Sequence, residues 1–197
     1  MLGVILCGGQ SSRMKDDKGL LLFNSETWAQ LASRKLSSLN LQTVFSIRQE
    51  QLQSYNSIFS EDQLIIDQAS LNLAGPLLGI LSVHVRFPKE DLVVLACDLP
   101  NLQPFVVKEL VDQFQKNKEC EAITFKLNGR VEPLCGIYTA KGLAKIRVLQ
   151  QEKKLNQFSM IHALETVETE YLQALEDWDF FFKNLNSPDD LNGLMVK

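Results

Sequence analysis

Six short runs rich in Val, Ile, Leu and Phe punctuate the chain, and most are followed by a stretch with apolar residues at helical spacing. No other feature restricts the fold as tightly. The runs are Leu2–Cys7, Thr43–Ile47, Gln63–Asp67, Leu92–Cys97, Glu121–Phe125 and Glu132–Tyr138. A strand with nearly continuous apolar content is buried on both faces, which requires a largely parallel sheet with helices packed on each side. Between the runs, Thr27–Leu39 sets Trp28, Leu31, Ala32, Lys35, Leu36 and Leu39 along one stripe. Leu77–Val85, Pro104–Gln115 and Thr139–Gln150 behave in the same way, with Pro104 suited to a first helical turn. At 197 residues the chain is long enough for one sizeable α/β core and short for two.

From Gln151 onward the pattern weakens. Met160–Leu164 reads as a short helix. Trp178, Phe180, Phe181 and Phe182 crowd four rings into a few positions, where they cover a sheet edge or fill a last core layer. The stretch from Asn184 to Leu191 reads as a strand end and then a helix start, with Ser187 as cap and Pro188 in the first turn.

Twenty Lys and Arg stand against 24 Asp and Glu, a net charge of −4, which argues against a protein that grips nucleic acid or an anionic membrane. No run approaches the ~18 apolar residues of a membrane helix, and the apolar N-terminus stops at Gly8-Gly9 without a basic leader. Four scattered cysteines and two histidines make neither a disulfide framework nor a zinc site. Together these features predict a reduced, cytoplasmic α/β protein.

The most informative stretch is Leu6-Cys7-Gly8-Gly9-Gln10-Ser11-Ser12-Arg13-Met14-Lys15-Asp16-Asp17-Lys18-Gly19. It leaves the end of the first strand, where open parallel sheets bind their ligands. Two glycines allow a turn with positive φ and a close backbone approach, and successive amides in such a turn attract anions. Arg13 and Lys18 add a fork and a point charge for polyphosphate. Neither a P-loop nor a Gly-x-Gly-x-x-Gly fingerprint is present. A carboxylate such as Asp98, after an apolar strand and before Leu99-Pro100, suits Mg²⁺ on the same edge; it equally suits a turn cap.

The glycine loop resembles the signature of nucleotidyltransferases that build the molybdenum cofactor, the molybdenum cofactor guanylyltransferases (molybdopterin-guanine dinucleotide biosynthesis protein A family). Three further stretches fit in family order: Ala74 to Ile80, Ala96 to Leu102, and Asn184 to Leu191. One departure is Lys15, where the family usually carries Gly; another is Ser46, where it carries a polar Asn. The resemblance implies a single nucleotidyltransferase domain over 1–197: a three-layer α/β/α sandwich with a mostly parallel, Rossmann-like sheet. Residues 1–100 would form the nucleotide-binding half and 101–197 the acceptor-binding half.

It also implies roles. Arg13, Lys18 and Asp98 are the catalytic candidates, with Asp98 as the Mg²⁺ ligand. Leu6, Cys7, Gly8, Gly9, Lys18, Asp67, Gly75, Pro76, Leu77 and Asp98 are the nucleotide contacts, with Gln68 a rival to Asp67. Cys7 contributes backbone, since an apolar strand context raises a thiol pKa and disfavours a nucleophile. Asn184 and Asn186, two apart in an extended segment, share a face and would meet the acceptor or cap the turn before Ser187-Pro188. Arg130, Glu132 and Pro133 stand at the entry to the last predicted strand, with no assigned role. The implied reaction is Mg²⁺-dependent transfer of GMP from GTP to the phosphate of molybdopterin or its molybdenum-loaded form, with release of pyrophosphate. The implied partners extend to cofactor-delivery or molybdoenzyme chaperone proteins. The alternatives are a related cytidylyltransferase or other small-phosphate transferase, or an inactive nucleotide-binding regulator. Against the cytidylyl reading, those relatives usually carry Ala at the position of Gly8.

Overall fold

The apolar runs become strands because each is covered twice. In the computed structural model, which describes residues 1–9 and 17–185, the first is β1 (Leu2–Leu6). Next come a two-residue hairpin, β2 (Leu22–Phe23) and β3 (Glu26–Thr27), then α1 (Trp28–Ser37) and β4 (Thr43–Ile47). The short α2 (Leu52–Asn56), β5 (Leu64–Ile66), α3 (Pro76–Arg86), β6 (Leu92–Ala96) and α4 (Pro104–Lys116) follow. The remainder holds β7 (Ala122–Leu127), β8 (Arg130–Tyr138), α5 (Ala140–Gln151), α6 (Met160–Glu165) and β9 (Thr169–Gln173).

Seven strands form one sheet in the order β5-β4-β1-β6-β8-β7-β9. The β5, β4, β1 and β6 neighbours pair in parallel, β8 runs antiparallel to both β6 and β7, and β9 is parallel to β7. Along β1 the side chains alternate between two cores. Ile5 joins Phe45, Val93 and Leu95 beneath α1 and α4, while Leu2, Val4 and Leu6 join Val44, Leu77 and Ile80 beneath α3. This is the two-faced burial that the near-continuous apolar runs demand.

Helix starts follow local chemistry. Thr27 and Gln30 close a capping box on α1: the Gln30 amide donates to Thr27 Oγ1 at 3.2 Å, and the Thr27 amide donates to Gln30 Oε1 at 2.8 Å. Pro76 and Pro104 open α3 and α4, where a missing N–H costs nothing. Arg130 opens β8, and Glu132 and Pro133 lie inside it rather than ahead of it. Its register against β7 shifts between Thr124 and Phe125, so Phe125 faces Glu132 while Thr124 faces Gly136. Phe182 is buried against Phe125, and Trp178 packs edge-on to the same ring, so this part of the aromatic cluster joins a core layer while Phe180 stays exposed. Asn184 and Leu185 belong to no strand, contrary to the predicted strand end; the helix start expected at Ser187-Pro188 lies outside the described residues.

Candidate functional site

The chain builds from β1 outward to β4 and β5, then returns to place β6 on the other side of β1. That reversal opens a crevice at the C-terminal ends of β1 and β6, the usual ligand position in such a sheet. Leu6 and Cys7 have side chains buried in the two cores, so their backbone is what they can offer a ligand. Cys7 is held on both sides: its amide donates to Ser46 O at 2.9 Å, and its carbonyl accepts from Gln51 Nε2 at 3.0 Å.

Gly8 and Gly9 do not take the positive φ expected of them; among the described residues the glycines that do are Gly75 and Gly129. What Gly8 supplies is room. A Cβ built there would lie 2.6 Å from Asp67 Oδ2, closer than side-chain atoms approach. Asp67 follows β5 and is fixed by Ser46 Oγ, which donates to its Oδ1 at 2.7 Å. Burial pushes the Asp67 carboxyl up to about 6, against the pull of the Ser46 hydrogen bond and Arg48. Ser46 is thus spent on Asp67 and is itself buried. The structure puts Asp67, not Gln68, against Gly8, while the Gln68 amide donates back to Ser82 Oγ of α3 at 2.8 Å.

Lys18 and Asp98, eighty residues apart in sequence, meet on this edge: Lys18 Nζ donates to Asp98 Oδ2 at 3.1 Å. Both side chains are about one-fifth exposed, so Lys18 is less solvated than its polar loop suggests. Asp17, beside Lys18 in the chain, holds the local backbone. Its carboxylate accepts from the Gly19 amide at 2.9 Å, from Gln51 Nε2 and from the Tyr55 hydroxyl. Gln51 therefore ties Asp17 to the end of β1. Its role was hidden in the polar run Arg48-Gln49-Glu50-Gln51, since only the tertiary partner reveals it.

Asp98 lies in the turn that follows β6. Its carbonyl accepts from the Leu185 amide at 3.2 Å, which brings Asn184 next to the Asp98 segment. Leu185 is buried with Trp28 and Leu31 of α1. Arg13 and Asn186 lie outside the described residues. Gly75 takes φ 68° and ψ −158°, a conformation that needs glycine, and caps α3 ahead of Pro76. Leu77 is fully buried in the α3 core, so any ligand there meets its backbone.

Among the described residues no group of three or more His, Cys, Asp or Glu could cage a metal. Asp98 is instead a single hard-oxygen donor on an open edge, which fits Mg²⁺: that ion takes one or two carboxylates and fills its shell with water and substrate phosphate. All four cysteines are free and buried. A hydrogen bond with Cys7, together with burial, pushes the Cys97 thiol well above its ordinary value, so Cys97 is no nucleophile at neutral pH. No described helix is long and apolar enough to cross a membrane.

Several known proteins are similar to this chain along nearly its whole length. A probable molybdenum cofactor guanylyltransferase from Geobacillus sp. is 26% identical, covering 100% of this chain and 98% of that protein. Another with the same description, from Flavobacterium johnsoniae, is 27% identical over 98% of this chain and 95% of its own. The crystal structure of molybdopterin-guanine dinucleotide biosynthesis protein A from Archaeoglobus fulgidus superposes with a TM-score of 0.76 at 25% identity, covering 98% of this chain and 96% of that one. Residues 3–167 match the family described as the MobA-like NTP transferase domain, a span that holds the crevice, Lys18, Asp67 and Asp98. The chain belongs to that family.

Proposed function

We propose that the chain transfers GMP from GTP to the terminal phosphate of molybdopterin, in its free or molybdenum-loaded form, and releases pyrophosphate. The observation that carries this reading is the meeting of Lys18 and Asp98 at 3.1 Å on the edge that also holds Gly8 and Asp67. One cationic and one anionic group there suit a nucleoside triphosphate with its counter-ion. The names of the full-length relatives supply the substrate pair.

In the reaction an oxygen of the acceptor phosphate attacks the α-phosphorus of GTP. The bond from that phosphorus to the bridging oxygen breaks, and pyrophosphate leaves with the electron pair. The acceptor is already an anion, so no strong general base is required, and catalysis reduces to positioning and electrostatics. Lys18 balances charge that develops on the α-phosphate and the departing group, and Arg13 is assigned the same task from the sequence. Asp67 accepts from the guanine edge or the ribose hydroxyls, with Gly8 leaving room for its carboxylate at the end of β1. Asp98 would hold Mg²⁺, which supplies charge neutralisation on phosphate oxygens. Asn184 and Asn186 are assigned to the acceptor from the sequence; for Asn184 the hydrogen bond from the Leu185 amide to Asp98 O supports this by setting it beside the nucleotide edge.

The Gly8–Asp67 contact favours guanylyl over cytidylyl transfer, since the Ala usual in cytidylyl relatives would collide with Asp67 as it stands. Thermal shift with GTP, CTP, ATP and UTP, each with and without Mg²⁺, tests the nucleotide assignment. GTP with Mg²⁺ should raise the midpoint most, and an equal rise with CTP would defeat it.

A further inference from the structure

Lys35 is a lysine where the helical stripe calls for an apolar residue, and it is only 9% exposed. It follows Trp28 by seven positions and Leu31 by four, so all three share one face of α1. Its ammonium reaches across to the turn after β6, where Nζ donates to Leu99 O and to Pro100 O, each at 2.8 Å. These are the two residues that directly follow Asp98.

A buried ammonium is expensive, and an apolar side chain of similar length would pack here at less cost. Burial pulls the Lys35 ammonium down to about 7. The charge is held by two carbonyl dipoles, and among the described residues no carboxylate pairs with it. Leu99 and Leu102 are buried around the same turn, so its carbonyls have little water to turn to. A costly group kept in that position needs a compensating use.

We infer that Lys35 is a positioning residue for Asp98, fixing the turn after β6 so that the carboxylate stands opposite Lys18. The same face of α1 holds Leu185 through Trp28 and Leu31, and Leu185 donates to Asp98 O at 3.2 Å. One helix face thus sets the Asp98 turn from two directions. The inference rests on the reading of Asp98 as the residue that serves the triphosphate and its metal.

The test is Lys35→Met, which keeps the stem and removes the donors. Backbone hydrogen exchange should accelerate at Cys97, Asp98, Leu99, Asn101 and Leu102 while β1 and β4 keep wild-type protection. Turnover should fall by about 10²-fold, the scale on which a misplacement of about 1 Å acts. The Mg²⁺ concentration for half-activation should rise, while the KM for GTP stays within about threefold, since Gly8 and Asp67 are untouched. A lower melting point with wild-type exchange in the turn, turnover and Mg²⁺ response would overturn the proposal and leave Lys35 as packing alone. If Lys35→Met does not fold, Lys35→Gln, which keeps one donor-bearing amide, carries the same comparison. Should the wild-type chain show no guanylyl transfer, the reading of the reaction fails, and exchange in the turn still decides whether Lys35 positions Asp98.

Discussion

Asp67 gives a prediction in which stability and function have opposite signs. Its carboxyl is lifted from the ordinary 3.8 to about 6 by burial, so the folded protein holds the proton more tightly than the unfolded chain does. The contribution of such a group to stability is fully present below pH 3.8 and is lost as pH rises through about 6. At neutral pH the ionised carboxylate is therefore a net cost. A displacement of that size corresponds to about 3 kcal/mol at full burial, and the partly open edge reduces it to about 1–2 kcal/mol. Asp67→Asn keeps an oxygen to accept from Ser46 Oγ and removes the charge. The variant should equal wild type near pH 4 and exceed it at pH 7.5 by about 1–2 kcal/mol, or about 3–6 °C in melting midpoint for a chain of this length. Its affinity for GTP should drop at least about tenfold, because a charged acceptor is replaced by a neutral one. Wild-type affinity should decline as pH falls through about 6, and Asp67→Asn should show no such decline. Differential scanning fluorimetry from pH 4 to 8 and calorimetric titration with GTP read both effects. A variant that is less stable than wild type at pH 7.5 and binds GTP normally would refute the reasoning.

Gly8→Ala should force Asp67 away from Ser46, since its Cβ would lie 2.6 Å from Oδ2; the expected stability loss is about 1–3 kcal/mol, with weaker GTP binding. Combining it with Asp67→Asn should add little further loss of GTP affinity, a non-additivity that titration of the four proteins would detect. Lys18→Ala should lower turnover by about 10²-fold, measured as pyrophosphate release. Its melting point should move by far less than its turnover, since a pair that keeps about one-fifth of its surface in solvent contributes on the order of 1 kcal/mol.

The sheet was legible wherever both faces are buried. Thr43–Ile47 was predicted to the residue because all five of its positions are buried. The edge strand β9 was missed: Thr169-Glu170-Tyr171-Leu172-Gln173 is half exposed, so its composition resembles a loop. The β2–β3 hairpin and α2 are too short to show a period. In the candidate site, Lys18 and Asp98 were singled out because glycine-loop and strand-end chemistry depend on local order in the chain, and the structure brings the two together. Gln51 and Lys35 were not, since their partners lie on other elements. At Gly8 the expected positive φ is absent, and what the position provides is space against Asp67, which no local pattern could show.

The central claim is a chemical one, that this edge moves a guanylyl group onto a pterin phosphate. Incubating the chain with GTP labelled at the α-phosphorus, Mg²⁺ and molybdenum-loaded molybdopterin, then resolving the products, tests it directly. The account predicts label in a molybdopterin–guanine dinucleotide with one pyrophosphate released per label. CTP at the same concentration should be at least about tenfold slower. Label that stays in GTP, or CTP that transfers as fast, would contradict it.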